Sequence, residues 1–259
     1  MILEDRTVLV TGVGAGLGAE VARCAVRDGA NVVLAARTEA VLEKTAAELD
    51  PSGERVAFAR TDITDPADCE ALVALATKRF GAAHALVQVA AYELAFGGLE
   101  DADLEAWQKA FDTNVLGSYK LVRAVAPEMK RAGGGSIVLI GSQSMFVPQL
   151  PQAGYAASKG ALLSTMYYLA DELGKDGIRV NMVVPSWMWG PPVQAYLKFE
   201  AKKQGTTEEA LLADITSRIP LGEMAADEDV AEAAVFLASE RARRITGQNL
   251  MVNSGELMR

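Results

Sequence analysis

A tyrosine and a lysine four positions apart, Tyr155 and Lys159, have side chains that could transfer a proton. They stand at the start of a predicted helix, where residues four apart share one face. An ammonium group beside a phenol favours the phenolate and lowers the phenol pKa from about 10 towards neutrality. Tyr155 could then serve as general acid and base for a carbonyl–alcohol pair. Taken alone, the same spacing also fits an ordinary solvated helix face.

A hydroxyl group precedes this pair by thirteen positions, at Ser142. Ser142 follows the apolar run 136–140, which reads as a strand. In open α/β sheets the ligand crevice lies at the carboxyl ends of the strands. The sequence therefore predicts that Ser142 faces the same crevice as Tyr155 and Lys159.

A glycine-rich turn, Thr11-Gly-Val-Gly-Ala-Gly-Leu-Gly18, lies between the first predicted strand and a helix. Glycine permits positive φ and close backbone approach to a ligand, and a helix N-terminus attracts a pyrophosphate. The position within a first βαβ unit predicts dinucleotide binding. The alternative is a turn with a purely structural role.

The second predicted strand ends in Ala35-Ala36-Arg37, where an NAD(H) enzyme usually has an acid that binds the ribose hydroxyls. A guanidinium suits a 2′-phosphate, so Arg37 favours NADP(H), with NAD(H) as the alternative. Ala15 weakens this preference, because NADP(H) enzymes often have a second basic residue within the glycine-rich turn. Arg37 would otherwise be a solvated surface side chain.

Short apolar runs alternate with helical patterns along the chain, and the runs are continuous rather than alternating. Such strands are buried on both faces, which predicts a parallel sheet covered by helices. The predicted strands are Thr7–Val10, Asn31–Ala35, Arg55–Ala59, Ala85–Val89, Ser136–Ile140, Ile178–Val184 and Asn249–Val252. Helices are predicted near 17–28, 39–49, 66–79, 103–131, 153–175 and 227–238. The fold class is therefore α/β: one doubly wound, Rossmann-type domain over 1–259, with a mostly parallel seven-stranded sheet.

A stretch at about 186–217 interrupts the alternation as a substrate-loop insert, and its first part, Ser186 to Gly205, reads as a long irregular segment. Three segments should converge over the reacting group: Tyr92–Phe96, Met145–Leu150 and Trp187–Phe199. They are rich in aromatic and aliphatic residues, which predicts a bulky, apolar ketone or secondary alcohol as substrate. The alternative places the tryptophans and Met188 of the insert in the core.

The net charge of −9 over 259 residues disfavours nucleic-acid binding. An acidic N-terminus and the lack of an apolar run of roughly 20 residues predict a soluble protein without a membrane span. Cys24 and Cys69 have neither disulfide nor metal-ligand spacing, which favours the cytoplasm and no metal. His84 has no second ligand nearby, so a surface or capping role is predicted for it.

These motifs together resemble the short-chain dehydrogenase/reductase family, in its single-domain branch of about 250 residues. The matching segments are TGVGAGLG at 11–18, Asp62-Ile63, Asn114-Val-Leu-Gly, Ser142 and YAASK at 155–159. The resemblance covers the whole chain. Enoyl reductases of the superfamily usually have a longer Tyr–Lys gap, so that branch is not expected.

The resemblance implies four catalytic residues. Tyr155 would exchange the substrate proton while a hydride moves between nicotinamide and the carbonyl carbon. Lys159 would bind the nicotinamide ribose and lower the Tyr155 pKa, and Ser142 would bond the substrate oxygen. Asn114 would anchor a water that relays the proton. The implied cofactor-binding residues are Gly12, Gly16, Leu17, Gly18, Arg37, Asp62, Ile63, Ala90, Tyr155, Lys159 and Pro185.

The chain departs from the family pattern in three places. Gln88-Val-Ala-Ala91 replaces Asn-Asn-Ala-Gly, which should remove a structural amide and a glycine. Pro185-Ser186 replaces Pro-Gly, and Val252-Asn-Ser-Gly255 replaces Val-Asp-Gly-Gly. The Gln88–Ala91 change is the one support for an alternative function, a cofactor-binding regulator with little turnover.

Two long helical stretches, 153–175 and 103–131, are apolar on more than one face. One face can cover the sheet, and the other requires a second partner. The resemblance implies that these helices pair between subunits, so a homodimer or homotetramer is expected.

Overall fold

The computed structural model describes residues 1–258 and contains a seven-stranded parallel sheet. The strands of this sheet are β1 (Thr7–Thr11), β2 (Asn31–Ala36), β3 (Val56–Arg60), β4 (Ala85–Gln88), β5 (Gly135–Ile140), β6 (Ile178–Pro185) and, after two short strands given below, β9 (Asn249–Val252). Their order is β3-β2-β1-β4-β5-β6-β9. All seven predicted strands are present, and the doubly wound fold class is confirmed.

The continuous apolar runs form these strands because both faces of the sheet are covered. Every residue of β1 and β4 is buried. The chain crosses from one side of the sheet to the other between β1 and β4, where Thr11 pairs with both Ala35 and Gln88. Because the carboxyl ends of the strands are level there, the loops that follow them open a crevice at this edge.

Helices form a layer on each face of the sheet. They are α1 (Leu17–Arg27), α2 (Glu39–Leu49), α3 (Pro66–Phe80), α4 (Leu104–Phe111), α5 (Ser118–Arg131), α6 (Ala153–Gly174), α7 (Pro191–Gln204), α8 (Glu208–Thr216) and α9 (Asp227–Ala238). The apolar sides of α1, α2 and α9 form one core with the sheet, and those of α3, α5 and α6 form the other. This arrangement fixes the start of α1 and the start of α6 at the crevice.

The predicted single helix over 103–131 is wrong in one respect. A π-helical turn, Asp112–Gly117, separates α4 from α5. Its wider hydrogen-bonding pattern contains one extra residue, a feature common at functional sites. Within it the buried Asn114 bonds to Tyr92, a tertiary contact that helical periodicity does not reveal.

The sequence led us to expect an irregular segment from Ser186 to Gly205, and this prediction is wrong. Helix α7 occupies most of the segment, and α8 follows it. Pro191 begins α7, where its missing N–H costs nothing, and Gly205 ends it with φ of 65°. The two helices enclose a small apolar cluster around Leu197 and Ile215. Two short strands, β7 (Met188–Trp189) and β8 (Ala225–Ala226), pair beside it.

Within residues 1–258, no helix is long and apolar enough to cross a membrane.

Candidate active site

A cleft of about 1140 Å³ lies at the carboxyl ends of the strands. It runs from the glycine-rich turn, past the end of β2, to the start of α6 and the residues that follow β6. The predicted site residues that line it are Gly12, Gly16, Leu17, Gly18, Arg37, Asp62, Ile63, Ala90, Ser142, Tyr155, Lys159 and Pro185. The structure thus brings these residues together in one continuous cleft.

Lys159 lies at the floor of this cleft and is only 3% exposed. Its Nζ donates a hydrogen bond of 2.7 Å to the Ile140 carbonyl oxygen, at the end of β5. The same atom is 5.7 Å from the centre of the Tyr155 ring. Burial lowers the pKa of Lys159 to about 8, because removal from water disfavours the charged ammonium. A group with this pKa gains and loses its proton near neutral pH.

The pKa of Tyr155 is raised above its usual value, whereas the sequence led us to expect a lowered one. Removal of the phenol from water is the largest cause, and the carboxylate of Glu93 adds to it. A hydrogen bond with Ser142 acts in the opposite direction. The desolvation of the phenolate therefore outweighs the hydrogen bond with Ser142. The Lys159 ammonium donates its hydrogen bond to the Ile140 carbonyl oxygen.

Asn114 is fully buried and does not line the cleft. Its amide accepts from the Tyr92 N–H at 2.7 Å and donates to the Tyr92 carbonyl at 3.0 Å. It also donates to the Ser158 hydroxyl, which in turn donates to the Tyr155 carbonyl. Asn114 therefore joins the segment after β4 to the first turn of α6, which carries Tyr155.

The glycine-rich turn is packed so closely that side chains would not fit. Gly12 has φ of 70°, and a Cβ there would lie 2.4 Å from the Ala90 nitrogen. A Cβ on Gly18 would lie 2.3 Å from the Gly12 carbonyl oxygen. No side chain caps the N-terminus of α1 at Gly16. A narrow backbone cradle with a helix N-terminus at its base suits a pyrophosphate.

The altered segment Gln88–Ala91 keeps a structural amide, although the sequence comparison led us to expect its loss. The Gln88 side chain accepts from the Thr11 hydroxyl at 2.9 Å and donates to Ser118 and to the Ala90 carbonyl. One longer amide thus joins β1, β4 and α5. The loop that carries Ala90 is held against the glycine-rich turn, and this departure does not open the cofactor cleft.

At the far end of the cleft, Arg37 is exposed and stands near Asp62. The pKa of Asp62 is lowered, first by a hydrogen bond from the Thr64 backbone, and also by the positive charges of Arg37 and Arg60. Arg60 itself is 3.7 Å from Asp68. The guanidinium of Arg37 therefore faces the solvent beside the carboxylate, where a second anion could reach it.

The other end of the cleft contains only part of the apolar set predicted for the substrate. The members that line the cleft include Tyr92, Phe96, Leu150, Trp187, Met188 and Tyr196. Of the remainder, Leu94 and Phe199 are largely exposed, and Met145 and Phe146 pack against the core. Trp189 lines a separate cavity behind the insert. Lys198, Lys202 and Lys203 are exposed.

Polar residues that sequence reasoning missed also line this end. Glu93 and Gln149 stand in segments predicted to be apolar, and a charge inside such a segment was the available signal. Asp227 begins α9, and its carboxylate lies 3.4 Å from where a Cβ on Gly16 would be. Burial and the charge of Glu20 raise its pKa. No local pattern could place Asp227 here, because it is distant in sequence from the glycine-rich turn.

His84 has the structural role that the sequence predicted. Its Nδ1 accepts a hydrogen bond of 2.9 Å from the Thr7 N–H, at the opposite end of the sheet from the cleft. Partial burial lowers its pKa, so the neutral acceptor form is favoured.

Comparisons with known proteins agree with this geometry. Residues 12–256 match the model of the family described as enoyl-(acyl carrier protein) reductase. The chain is 34% identical to L-rhamnose 1-dehydrogenase (NAD(P)(+)) of Sphingomonas sp. (strain SKA58), over 98% of this chain and 97% of that protein. A short-chain type dehydrogenase/reductase from Mycobacterium ulcerans superposes with a TM-score of 0.90 at 32% identity, over 99% and 91% of the chains. An actinorhodin polyketide ketoreductase solved with NADPH gives 0.89 at 30%, over 97% of each.

The fold and the cleft define an NAD(P)-dependent oxidoreductase with a Rossmann-type domain, acting on an alcohol or a ketone. The chain belongs to the short-chain dehydrogenase/reductase superfamily. An activity limited to regulation, the alternative from sequence, is not favoured by these relatives.

Proposed function

We propose that this protein reduces a bulky ketone, or oxidises the matching secondary alcohol, with NADP(H) as the favoured cofactor and Tyr155 as the proton donor and acceptor. The observation that carries the proposal is the cluster of Ser142, Tyr155 and Lys159 in one cleft with the glycine-rich turn. Bound nicotinamide would supply or accept the hydride.

The roles proposed for the reactive residues follow from their contacts. Tyr155 and Ser142 both line the cleft and Ser142 lowers the Tyr155 pKa, so we assign both hydroxyls to one substrate oxygen. Lys159, with its lowered pKa, is poised to exchange a proton near neutral pH. Asn114 would position Tyr155 through Ser158 and would hold Tyr92 at the cleft wall. Protonated Tyr155 donates during reduction, and deprotonated Tyr155 accepts during oxidation.

The residues present fit a dinucleotide. Gly12 and Gly18 let the turn pack tightly on itself and on the loop that carries Ala90, and the uncapped start of α1 offers N–H donors to a pyrophosphate. Asp62 and Ile63 would flank the adenine, while Ala90 and Pro185 would line the nicotinamide end. The exposed Arg37 would bind the 2′-phosphate of NADP(H), and NAD(H) remains the alternative cofactor.

An apolar wall supports a bulky substrate. The rings of Trp187 and Tyr196 pack at a tilt with their centres 5.5 Å apart, and Leu150 also lines the cleft. Each Å² of apolar substrate area removed from water contributes about 25 cal/mol. Glu93 and Gln149, which line the same end of the cleft, add hydrogen-bonding groups for the substrate. We further propose a homodimer or homotetramer that works in the cytoplasm.

A size series of ketones tests the substrate proposal. We expect kcat/KM with NADPH to rise with the apolar area of the ketone, and small anionic carbonyls to be poor substrates.

Tyr155→Phe, which removes only the hydroxyl, should lower kcat by at least about 10²-fold while the Kd for NADPH stays nearly unchanged. Preference for small or anionic carbonyls would overturn the substrate class, and substantial turnover by Tyr155→Phe would overturn the catalytic assignment.

The cofactor preference depends on Arg37. A charged hydrogen bond of roughly 1.5–3 kcal/mol predicts that NADPH binds about 10- to 150-fold more tightly than NADH. Arg37→Ala should remove most of this ratio by weakening NADPH binding alone. Titrations of each cofactor, followed by fluorescence or calorimetry, measure the four dissociation constants. Equal constants for the two cofactors in the unmodified protein would refute the preference.

A further inference from the structure

Two of the departures from the family pattern, at Ser186 and at Asn253, meet in one hydrogen-bonded cluster behind the substrate end of the cleft. At its centre is Glu256, near the end of the chain. Its carboxylate accepts from the Gln149 amide at 2.6 Å and from the Gln143 amide at 3.0 Å. It also accepts from the Ser186 hydroxyl. Three donors from two different loops therefore converge on one carboxylate.

The cluster is anchored to the sheet. Asn253 follows β9 directly and is only 6% exposed. Its amide donates to the Gln143 side-chain oxygen at 2.6 Å and to the Leu257 carbonyl at 2.9 Å. Its backbone carbonyl accepts from the Glu256 N–H at 3.0 Å. A turn built on Asn253 thus holds Glu256 in place, and the almost fully buried Gln143 has partners on both its oxygen and its nitrogen.

The two loops that Glu256 joins form one wall of the cleft. Gln149 and Leu150 belong to the loop between Ser142 and Tyr155, and Ser186 and Trp187 follow β6. Glu256 itself does not line the cleft, so it contacts neither substrate nor cofactor. Any effect it has on the reaction must pass through these loops.

We propose that Glu256 is a positioning residue that clamps the loop 143–152 to the segment after β6, and so fixes the shape of the substrate wall before substrate arrives. Ser186 is part of this clamp, because its hydroxyl donates to Glu256 and a glycine at this position would have no hydroxyl to donate. The clamp acts on substrate binding, and the cofactor cradle lies outside it. Only the kinetic part of its test rests on the function proposed above.

The first test is hydrogen exchange, which needs no turnover. Glu256→Ala should speed amide exchange in 143–152 by about ten-fold, the equivalent of one hydrogen bond to a charged group. Exchange in the strands of the sheet should not change. Glu43→Ala, which removes an exposed acid on α2 that lines neither cavity, is the matched control and should leave the loop protected. Unchanged exchange in Glu256→Ala would overturn the clamp, whatever the substrate proves to be.

The second test is kinetic. Glu256→Ala should raise KM for the best ketone by about ten-fold, with kcat and the Kd for NADPH within about two-fold. Glu256→Gln keeps the shape but replaces the charged acceptor by a neutral amide, which weakens the bonds from Gln143 and Ser186 and requires the Gln149 amide to turn, so it should raise KM by a smaller factor than Glu256→Ala. Adding Gln149→Glu to it restores a donor–acceptor pair and should recover most of the loss. Failure of that rescue, or a parallel fall of kcat, cofactor affinity and melting temperature, would identify a merely structural residue.

Discussion

At the scale of single residues, Glu93 is the charge whose carboxylate raises the pKa of both Tyr155 and Lys159. It lines the cleft beside Tyr92, yet is itself exposed. Both members of the reactive pair hold their protons more tightly because of it. Burial has the larger effect on both pKa values, and Glu93 raises the pH at which each of the two groups loses its proton.

Glu93→Gln tests this influence. Alcohol oxidation needs the pair to have lost a proton, so kcat/KM for oxidation should rise with pH through an apparent pKa, and ketone reduction should fall. Removing the carboxylate favours proton loss, so both midpoints should move to lower pH in Glu93→Gln. Profiles of kcat/KM between pH 6 and 10, recorded in both directions, measure the shift.

Glu100→Gln is the control for net charge, since it removes an exposed acid from the same surface segment without lining the cleft. Its midpoints should match those of the unmodified protein. A shift of equal size in both variants, or a shift of Glu93→Gln to higher pH, would contradict the role given to Glu93.

At the scale of elements, the glycine-rich turn between β1 and α1 packs directly on the loop after β4. The backbones of these two loops meet with no side chain between them. Gly12 occupies a left-handed conformation directly against Ala90, whereas Gly14 has nothing within 4 Å of its Cβ position. Two glycines of one motif thus have different structural demands. Only the first must be glycine for the loop after β4 to approach.

Gly12→Ala should lower the free energy of unfolding by more than about 2 kcal/mol, because positive φ and the overlap with Ala90 both add strain. Gly14→Ala at an open position should change it by less than about 0.5 kcal/mol. Urea denaturation of both variants gives the comparison. Equal stability of Gly12→Ala and the unmodified protein would show that the loop carrying Ala90 moves freely.

At the scale of the whole molecule, α6 and the π-helical turn beside it leave apolar side chains in water. Tyr168 is 73% exposed on α6, and Leu116 is 50% exposed on the turn. On the inner side of α6, Leu162 and Met166 are buried against the sheet. A helix with apolar groups on both sides fits burial of its outer side by a second copy of the chain.

Light scattering at micromolar concentration should therefore return two or four times the chain mass of 27.4 kDa. Tyr168→Asp should shift the mass towards the monomer, since it introduces a charge into the proposed contact. Phe199→Asp, at a similarly exposed aromatic residue on α7, should leave the mass unchanged. A mass of one chain for the unmodified protein would rule out the proposed assembly.

The sequence by itself determined the fold class and most of the residues that the cleft brings together, although it missed Glu93, Gln149 and Asp227. Continuous apolar runs give strands buried on both faces, and a glycine turn between strand and helix gives the close backbone approach of the two loops. Both signals are local, since each depends on neighbours a few positions away. The residue types at Ser142, Tyr155 and Lys159 and their spacing are local in the same sense.

Only the tertiary structure decided what depends on residues distant in the chain. Burial raises the Tyr155 pKa where the adjacent lysine predicted a lower one, because desolvation depends on everything that surrounds the phenol. Asn114, within the π-helical turn, bonds to Tyr92 across 22 positions. The cluster around Glu256 joins residues more than 100 positions apart. Such contacts follow from how the sheet aligns its strand ends, and no local pattern of residues encodes them.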